Sequence, residues 1–399
     1  MGQTPSTTKL PKNAGPPASK PSELYLACRN GDVEKVKQLV AQLNTADINR
    51  LEPNGSTSLH AASFYGHKAI VTMLLQNGAK SWMRNKYEMT PYEEAANDEI
   101  RSLFFRPTET DVNRFVDDGT DNICLELMSE KKIEETINSV PNGMINGYKN
   151  SGKKFRNEDI QLIVRAQIFK YYLTSLQRSN DCARELQRIL KDSVPSSHPD
   201  FEKAHSLFDE YCSLDQIESL IRLYTLETNF YGALRSNVEV FAVEMYSKLQ
   251  TFKDRFFKGQ SYRGLTMATK DIDEYKWAID NPGTLIEIKT LTSTSVDPKK
   301  AYHFARSKKT GNLKPHRVLC ECHFDHPCST AIDLRCDTNR NLPCWSAYED
   351  EAEILVLPGT LFEVCDVQRE ADTDRYTIIL RNIHVPLEII LQAFKEVET

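Results

Sequence analysis

The sequence predicts a multidomain chain in which an all-α helical repeat stack precedes an α+β domain. Three observations carry this reading. The segments Thr57-Ser58-Leu59-His60-Ala61-Ala62 and Thr90-Pro91-Tyr92-Glu93-Glu94-Ala95 repeat with a 33-residue spacing, the length of one helix-pair repeat. Between 157 and 231, Ile160, Ile163, Val164, Ile168 and Tyr171 recur at intervals of three and four, which marks one face of a helix. From about Tyr262 onward short β runs dominate, at 284–288, 318–323, 354–357, 362–367 and 376–380. Helices followed by a run of strands read as an α+β domain.

Bulk composition narrows the function classes. A chain of 399 residues, 40% hydrophobic and 27% charged, has the length of two or three globular domains. Its net charge of −6, with no dominant basic stripe, argues against nucleic acid as a partner. The basic stretch 149–156 is rich in Gly, Ser and Asn and reads as a solvated loop. No run of 18 apolar residues and no apolar leader is present, so neither a membrane span nor secretion is expected. The ten cysteines are then expected as reduced thiols in the cytoplasm. Cys320, Cys322, Cys328, Cys336 and Cys344 lie near His323 and His326 and invite a zinc site. Their spacings fit no standard finger and 318–322 alternates like a strand, so core cysteines and no metal are expected.

Residues 1–22, rich in Pro, Ser, Thr and Lys, read as a disordered tail. The tail opens Met1-Gly2-Gln3-Thr4-Pro5-Ser6, which fits the pattern for N-myristoylation at Gly2; the alternative is an unmodified start. One acyl chain, with only the sparse Lys9, Lys12 and Lys20 beside it, would give weak, reversible contact with a membrane. The location expected is cytoplasmic, peripheral on a membrane if Gly2 is acylated.

Residues 23–105 follow. The repeated segments resemble the T-P-L-H-x-A opening of ankyrin repeats, with Thr as the cap of the first helix and Gly66 and Gly78 closing the two helices. Leu24, Ala27 and Gly31 align with Leu59, Ala62 and Gly66 at an offset of 35, the excess falling near Asn44-Thr45. Two full repeats and a truncated third are expected, acting as a protein-binding surface. Residues 106–156 read as a connecting region. Asp200 is a candidate N-cap for the helix that begins at Phe201.

Neither G-x-G-x-x-G nor G-x-x-x-x-G-K-[ST] occurs, so no Rossmann or P-loop nucleotide site is offered. The acidic run ending Glu351-Ala352-Glu353 leads directly into Ile354-Leu355-Val356-Leu357-Pro358-Gly359. If Ala352 and Ile354 face a core, strand alternation sends both carboxylates to the other face, about 7 Å apart. Like charges at that spacing repel, so fold stability alone would not select them. The pair predicts a site where one carboxylate stabilises a cation and the other handles a proton. Glu349 and Asp350 are expected as a solvated acidic turn.

Upstream, Ser261-Tyr262-Arg263-Gly264 places an arginine beside a glycine at a strand end, and Ser293-Thr294-Ser295 precedes Asp297-Pro298 and a helical stretch. In this order the three segments resemble the R-S-E class of arginine-specific mono-ADP-ribosyltransferases. Leu223-Tyr224-Thr225-Leu226-Glu227-Thr228, with Phe230-Tyr231 and Leu234-Arg235, is similar to the helix before that family's catalytic core. The resemblance spans roughly residues 200–390. It implies an ADP-ribosyltransferase fold over 157–399, with a helical lobe at 157–235 and a two-sheet β core at 255–395.

The resemblance further implies NAD as substrate, no metal, and cleavage of the nicotinamide–ribose bond through an oxocarbenium-like state. On this reading Arg263, with Gly264 beside it, holds a phosphate and ribose of NAD, a task suited to a planar fork of donors. Ser293 orients the sugar, and Thr294 and Ser295 shape the strand along the NAD. Glu353 hydrogen-bonds a ribose hydroxyl and stabilises the developing cation. Glu351 orients the acceptor guanidinium of a protein target and assists its deprotonation. Arg263, Ser293, Glu351 and Glu353 are thus the catalytic candidates. The family's aromatic two residues before S-T-S is Leu291 here, which leaves Tyr302, Phe304 and Trp345 as candidates to stack on nicotinamide, and Gly283 and Gly311 as candidate turns beside the site. Two other functions stand beside this one: an inactive ankyrin adaptor, and an NAD glycohydrolase with water as acceptor.

Overall fold

The computed structural model describes residues 20–106, 125–128, 164, 181–280, 284–304, 316–337, 339–371 and 373–398. Gly2, Gly283, Gly311, nearly all of the tail and of the connecting region, and Ile160, Ile163, Ile168 and Tyr171 lie outside these residues, as does the side chain of Phe304. The chain divides into two compact units, Met1–Phe105 and Arg106–Thr399.

In the first unit the repeat pattern becomes helix pairs. Ser22 caps Glu23–Asn30 by accepting from the Tyr25 amide, and Asp32 caps Val33–Val40 through the Lys35 amide. Thr57 and His60 form a reciprocal capping box at the start of Ser58–Phe64, which is followed by Lys68–Gln76. Gly31, Gly66 and Gly78 all take left-handed φ of 75–82° where the helices turn. The 35-residue spacing has a local cause: a short extra helix, Thr45–Ile48, capped by Asn44, lies between the first two repeats. In the third repeat Thr90 and Glu93 bond reciprocally, yet the chain there makes only turns before the short helix Asp98–Arg101. Leu24, Cys28, Val36, Leu59, Ala62, Ile70, Val71 and Leu74 form the core of this unit.

Among the described residues, the second unit carries the helices Cys182–Ser193, Phe201–Leu214, Ile217–Thr225, Phe230–Arg235 and Val238–Ser247 ahead of most of its strands. Asp200 occupies the N-cap position of the second of these, but its side chain makes no cap bond. Its backbone, at φ −93° and ψ 14°, lacks the extended geometry that aims a capping oxygen at the first turn. The segment expected as one helix from Leu223 is instead a helix end: Leu226 is extended, and a second helix starts at Phe230.

Among the described residues eight strands follow the helices or pair with those that do: β1 (Leu125–Met128), β2 (Phe256–Met267), β3 (Leu285–Ile288), β4 (Thr292–Ser295), β5 (His316–Asp333), β6 (Glu353–Val356), β7 (Leu361–Arg369) and β8 (Arg375–Asn382). Their order is β1-β3-β7-β8-β5-β2-β4-β6, and β5 also pairs with β6. The pairs are antiparallel except β5–β8. The expected two-sheet core is therefore one continuous hydrogen-bonded network. The reason lies in the 18-residue β5. Its first half pairs with β2 and β8, and its end, Ala331–Asp333, pairs with β6. Register shifts of β2 against β5 near Phe257 and Gly259, with Gly259 at φ 134° and the extra residues on β5, fall where this transfer occurs. Ile286, Val318, Phe324, Ile354, Val356, Phe362, Ile378 and Leu380 are buried between the elements. Cys320, Cys322 and Cys328 belong to that core, and burial pushes the Cys322 thiol up.

Candidate functional site

The short strand β4 joins the sequence-predicted residues. Tyr262 on β2 pairs with Ser295, while Ser293, Thr294 and Ser295 pair with Leu355, Ile354 and Glu353 on β6. The three motifs thus lie on neighbouring strands, although up to 90 residues separate them in sequence. Arg263, Ser293, Glu351 and Glu353 are 8%, 1%, 2% and 1% exposed, so the predicted polar set is enclosed rather than solvated. Buried polar groups of this kind persist only with partners, and the partners show what each residue does in the fold.

Arg263 donates from Nη1 to the Ser293 carbonyl at 2.8 Å, which fixes the guanidinium against β4. The Ser293 hydroxyl lies 3.4 Å from the hydroxyl of Tyr224, which also donates to the Leu291 carbonyl. Thr294 donates to Ser261 and to the Ile354 carbonyl, and Ser295 donates to the Glu351 carbonyl at 2.7 Å. Thr294 and Ser295 therefore act as cross-strand and strand-to-turn ties. Gly264 pairs with Leu319 of β5.

The two glutamates do not alternate along one strand. Glu351 closes a 3₁₀ turn, Glu349–Glu351, and only Glu353 opens β6. Between them Ala352 is left-handed, at φ 48° and ψ 51°, and only partly buried. The left-handed residue breaks the two-residue period, so each carboxylate takes its own surroundings. Glu353 receives the Ser346 hydroxyl at 2.9 Å. Glu351 accepts from Nε of Arg106 at 2.6 Å and from Nη2 of the same guanidinium at 3.2 Å. Glu349 and Asp350 are half-buried, and Asp350 binds Lys300 at 2.6 Å, so the turn is anchored rather than solvated.

Arg106, the first residue of the second unit, is the feature that sequence reasoning missed. Its Nη1 also donates to Glu227 and its Nη2 to the Thr225 carbonyl, and its Cζ lies 4.2 Å from the centre of the Tyr348 ring. Arg106, Glu227 and Glu351 side chains are only 3–6% exposed. Exposed pairs such as Lys276–Asp273 contribute about 0–1 kcal/mol. Removing one partner of a buried pair, by contrast, costs about 3–5 kcal/mol.

The segment carrying Ser346, Tyr348 and Glu351 is itself held from several sides. Arg222 donates to the Cys344 carbonyl and Arg255 to the carbonyls of Asp333, Arg335 and Pro343. The Ala347 amide donates to Thr225. Burial pushes the Arg255 guanidinium down to about 10, which leaves it charged at neutral pH. Trp345 packs between Arg255, 3.9 Å from its ring centre, and Phe252. Its ring is thereby engaged in the clamp, and Arg375 lies 5.1 Å from the ring of Tyr302.

The chain matches the model of ankyrin repeats (three copies) over residues 19–114. Over 85 residues it is 34% identical to oxysterol-binding protein-related protein 1 of Rattus norvegicus, which is 21% of this chain and 9% of that protein. Over 314 residues it is 28% identical to BTB/POZ domain-containing protein 3 of Schizosaccharomyces pombe, covering 76% of this chain and 53% of that protein. The chain thus spans from about a tenth to about half the length of these curated relatives. Among solved structures it is similar to Vis toxin, an ADP-ribosyltransferase from Vibrio splendidus, at 14% identity over 58% of this chain and 88% of that one, TM-score 0.27. It is also similar to the ADP-ribosyltransferase HopU1 of Pseudomonas syringae, at 12% identity over 57% and 88%, TM-score 0.28.

Proposed function

We propose that the second unit transfers ADP-ribose from NAD to an arginine side chain of a protein target, releasing nicotinamide, while the ankyrin repeats bind a protein. The observation that carries this reading is the seat of Arg106 on Glu351. Both carboxylate oxygens accept from one guanidinium, in an enclosed position two residues along the chain from Glu353. A fork of this kind suits an arginine acceptor and would have no use for water.

In this reaction the C–N bond between nicotinamide and ribose breaks and its electron pair leaves with nicotinamide. Positive charge develops on the ribose, where Glu353, oriented by Ser346, stabilises it. Arg263 holds a phosphate and ribose of NAD from β2, and Ser293 orients the sugar from β4. A guanidinium nitrogen of the acceptor attacks the ribose carbon and its proton passes to Glu351.

The test uses labelled NAD and agmatine, a small guanidinium compound, with the full chain. Glu353→Gln lowers nicotinamide release by about two to three orders of magnitude. Glu351→Gln loses ADP-ribosyl-agmatine while NAD hydrolysis persists. Equal transfer in both variants and the native chain would overturn the reading. Hydrolysis without transfer in the native chain would make water the acceptor, and no nicotinamide release at all would leave an inactive adaptor.

A further inference from the structure

We infer that Glu227, Tyr348 and the Thr225 carbonyl form, together with Glu351, a cradle specific for a guanidinium, and that Arg106 is its internal occupant, which an acceptor arginine must displace. The inference rests on the transfer reading for the chemistry, but the cradle itself is defined by contacts alone. Glu351 accepts from Nε and Nη2 on one edge of the guanidinium. The Thr225 carbonyl accepts from Nη2, and Glu227 accepts from Nη1. The Tyr348 ring lies at 4.2 Å from Cζ, the position from which an aromatic face attracts a cation. Two carboxylates thus face one planar cation, and an ammonium on a flexible stem could not make the paired contact with Glu351.

Three features separate this cradle from an ordinary structural ion pair. It includes Glu351, which stands two residues before the expected cation stabiliser, Glu353. The second oxygen of Glu227, Oε1, is buried without a hydrogen-bond partner among the described residues, so the cradle has acceptor capacity that Arg106 does not use. Thr225 serves twice: its carbonyl receives Arg106, and its hydroxyl receives the Ala347 amide beside Tyr348. The cradle wall is therefore built on the end of helix Ile217–Thr225 and on the clamped 343–351 segment, both rigidly tied. Arg106 itself lies in neither helix nor strand, two residues after the 3₁₀ turn Ser102–Phe104. A rigid site whose occupant stands outside the elements that build it is suited to exchange of the occupant.

An internal occupant lowers apparent affinity by the fraction of time that the site is filled. Arg106→Gln, which keeps polar groups near both carboxylates, is expected to tighten agmatine binding, measured calorimetrically without NAD, by roughly tenfold or more. With NAD, its KM for agmatine falls by a similar factor and kcat changes little. Adding Glu227→Gln to Arg106→Gln reverses the gain. Arg106→Lys keeps a positive charge at the site and guards against a chain that fails to fold; it is expected to lie between the native chain and Arg106→Gln.

The inference is overturned if agmatine binds the native chain and both Arg106 variants equally. It is also overturned if agmatine binds Arg106→Gln but yields no ADP-ribosyl product while NAD is still hydrolysed, because the cradle would then be a structural cavity only. Failure of the transfer reading looks different: no variant turns over NAD, and the binding difference between native chain and Arg106→Gln remains the measure of the cradle.

Discussion

Ser346 donates its hydroxyl to Glu353 at 2.9 Å, and the same oxygen accepts from the Tyr348 amide at 3.3 Å. One serine therefore ties the carboxylate of β6 to the segment that carries Tyr348 and Glu351. The bond sets the aim of Glu353 without adding a group to the proposed reaction, which makes Ser346 a positioning residue.

Ser346→Ala is accordingly expected to lower kcat for nicotinamide release by about ten- to a hundredfold, since a hydrogen bond to a charged group contributes about 1.5–3 kcal/mol. The KM for NAD should change far less than kcat. Steady-state kinetics of nicotinamide release separate the two, and Ser346→Thr, which retains the hydroxyl, should recover part of the loss. An equal rise in KM with unchanged kcat would assign Ser346 to binding instead.

In the first unit, burial pushes His60 down to about 4, with its bond to the Met89 carbonyl opposing the shift in part. An unfolded histidine takes up its proton near pH 6.5. Between these values the unfolded chain binds more protons, so stability is complete above about pH 6.5 and is lost as the pH falls toward 4. The loss amounts to about 3 kcal/mol. Hydrogen exchange of amides in Ser58–Phe64, corrected for intrinsic rates, should show this slope in the native chain and a flat profile in His60→Gln. Parallel slopes would remove His60 as the cause.

Gly31 has φ 75°, and a Cβ built there would sit 2.7 Å from Cε1 of His67. Gly31→Ala is expected to cost about 1–2 kcal/mol from the left-handed backbone, with the His67–Arg29 carbonyl contact displaced as well. Amide protection across Glu23–Asn30 reads the effect. Unchanged protection there would show that the ring moves aside and the backbone relaxes.

How much was legible in the sequence follows from how local each cause is. The capping of Thr57, the glycine turns at 31, 66 and 78, and the two-residue excess near Asn44 depend on neighbours within a few positions, and all are found where expected. Short β runs were visible because apolar, β-branched side chains cluster in them. The joining of those strands into one network was not visible, because it depends on which distant strands pair with the two ends of β5. The alternation expected for Glu351 and Glu353 failed at Ala352, whose left-handed backbone is imposed by the turn rather than by its own chemistry.

By itself the sequence determined the repeat stack and the presence of arginine, serine and glutamate motifs in a chemically suggestive order. Those features are written in spacing and residue type, which survive without coordinates. Only the tertiary structure decided that β4 brings the motifs side by side, that Ser346 aims Glu353, and that Arg106 lies on Glu351 from 245 residues away. A guanidinium seeks buried carboxylates wherever the fold presents them, and the energy of that pairing carries no signature along the chain.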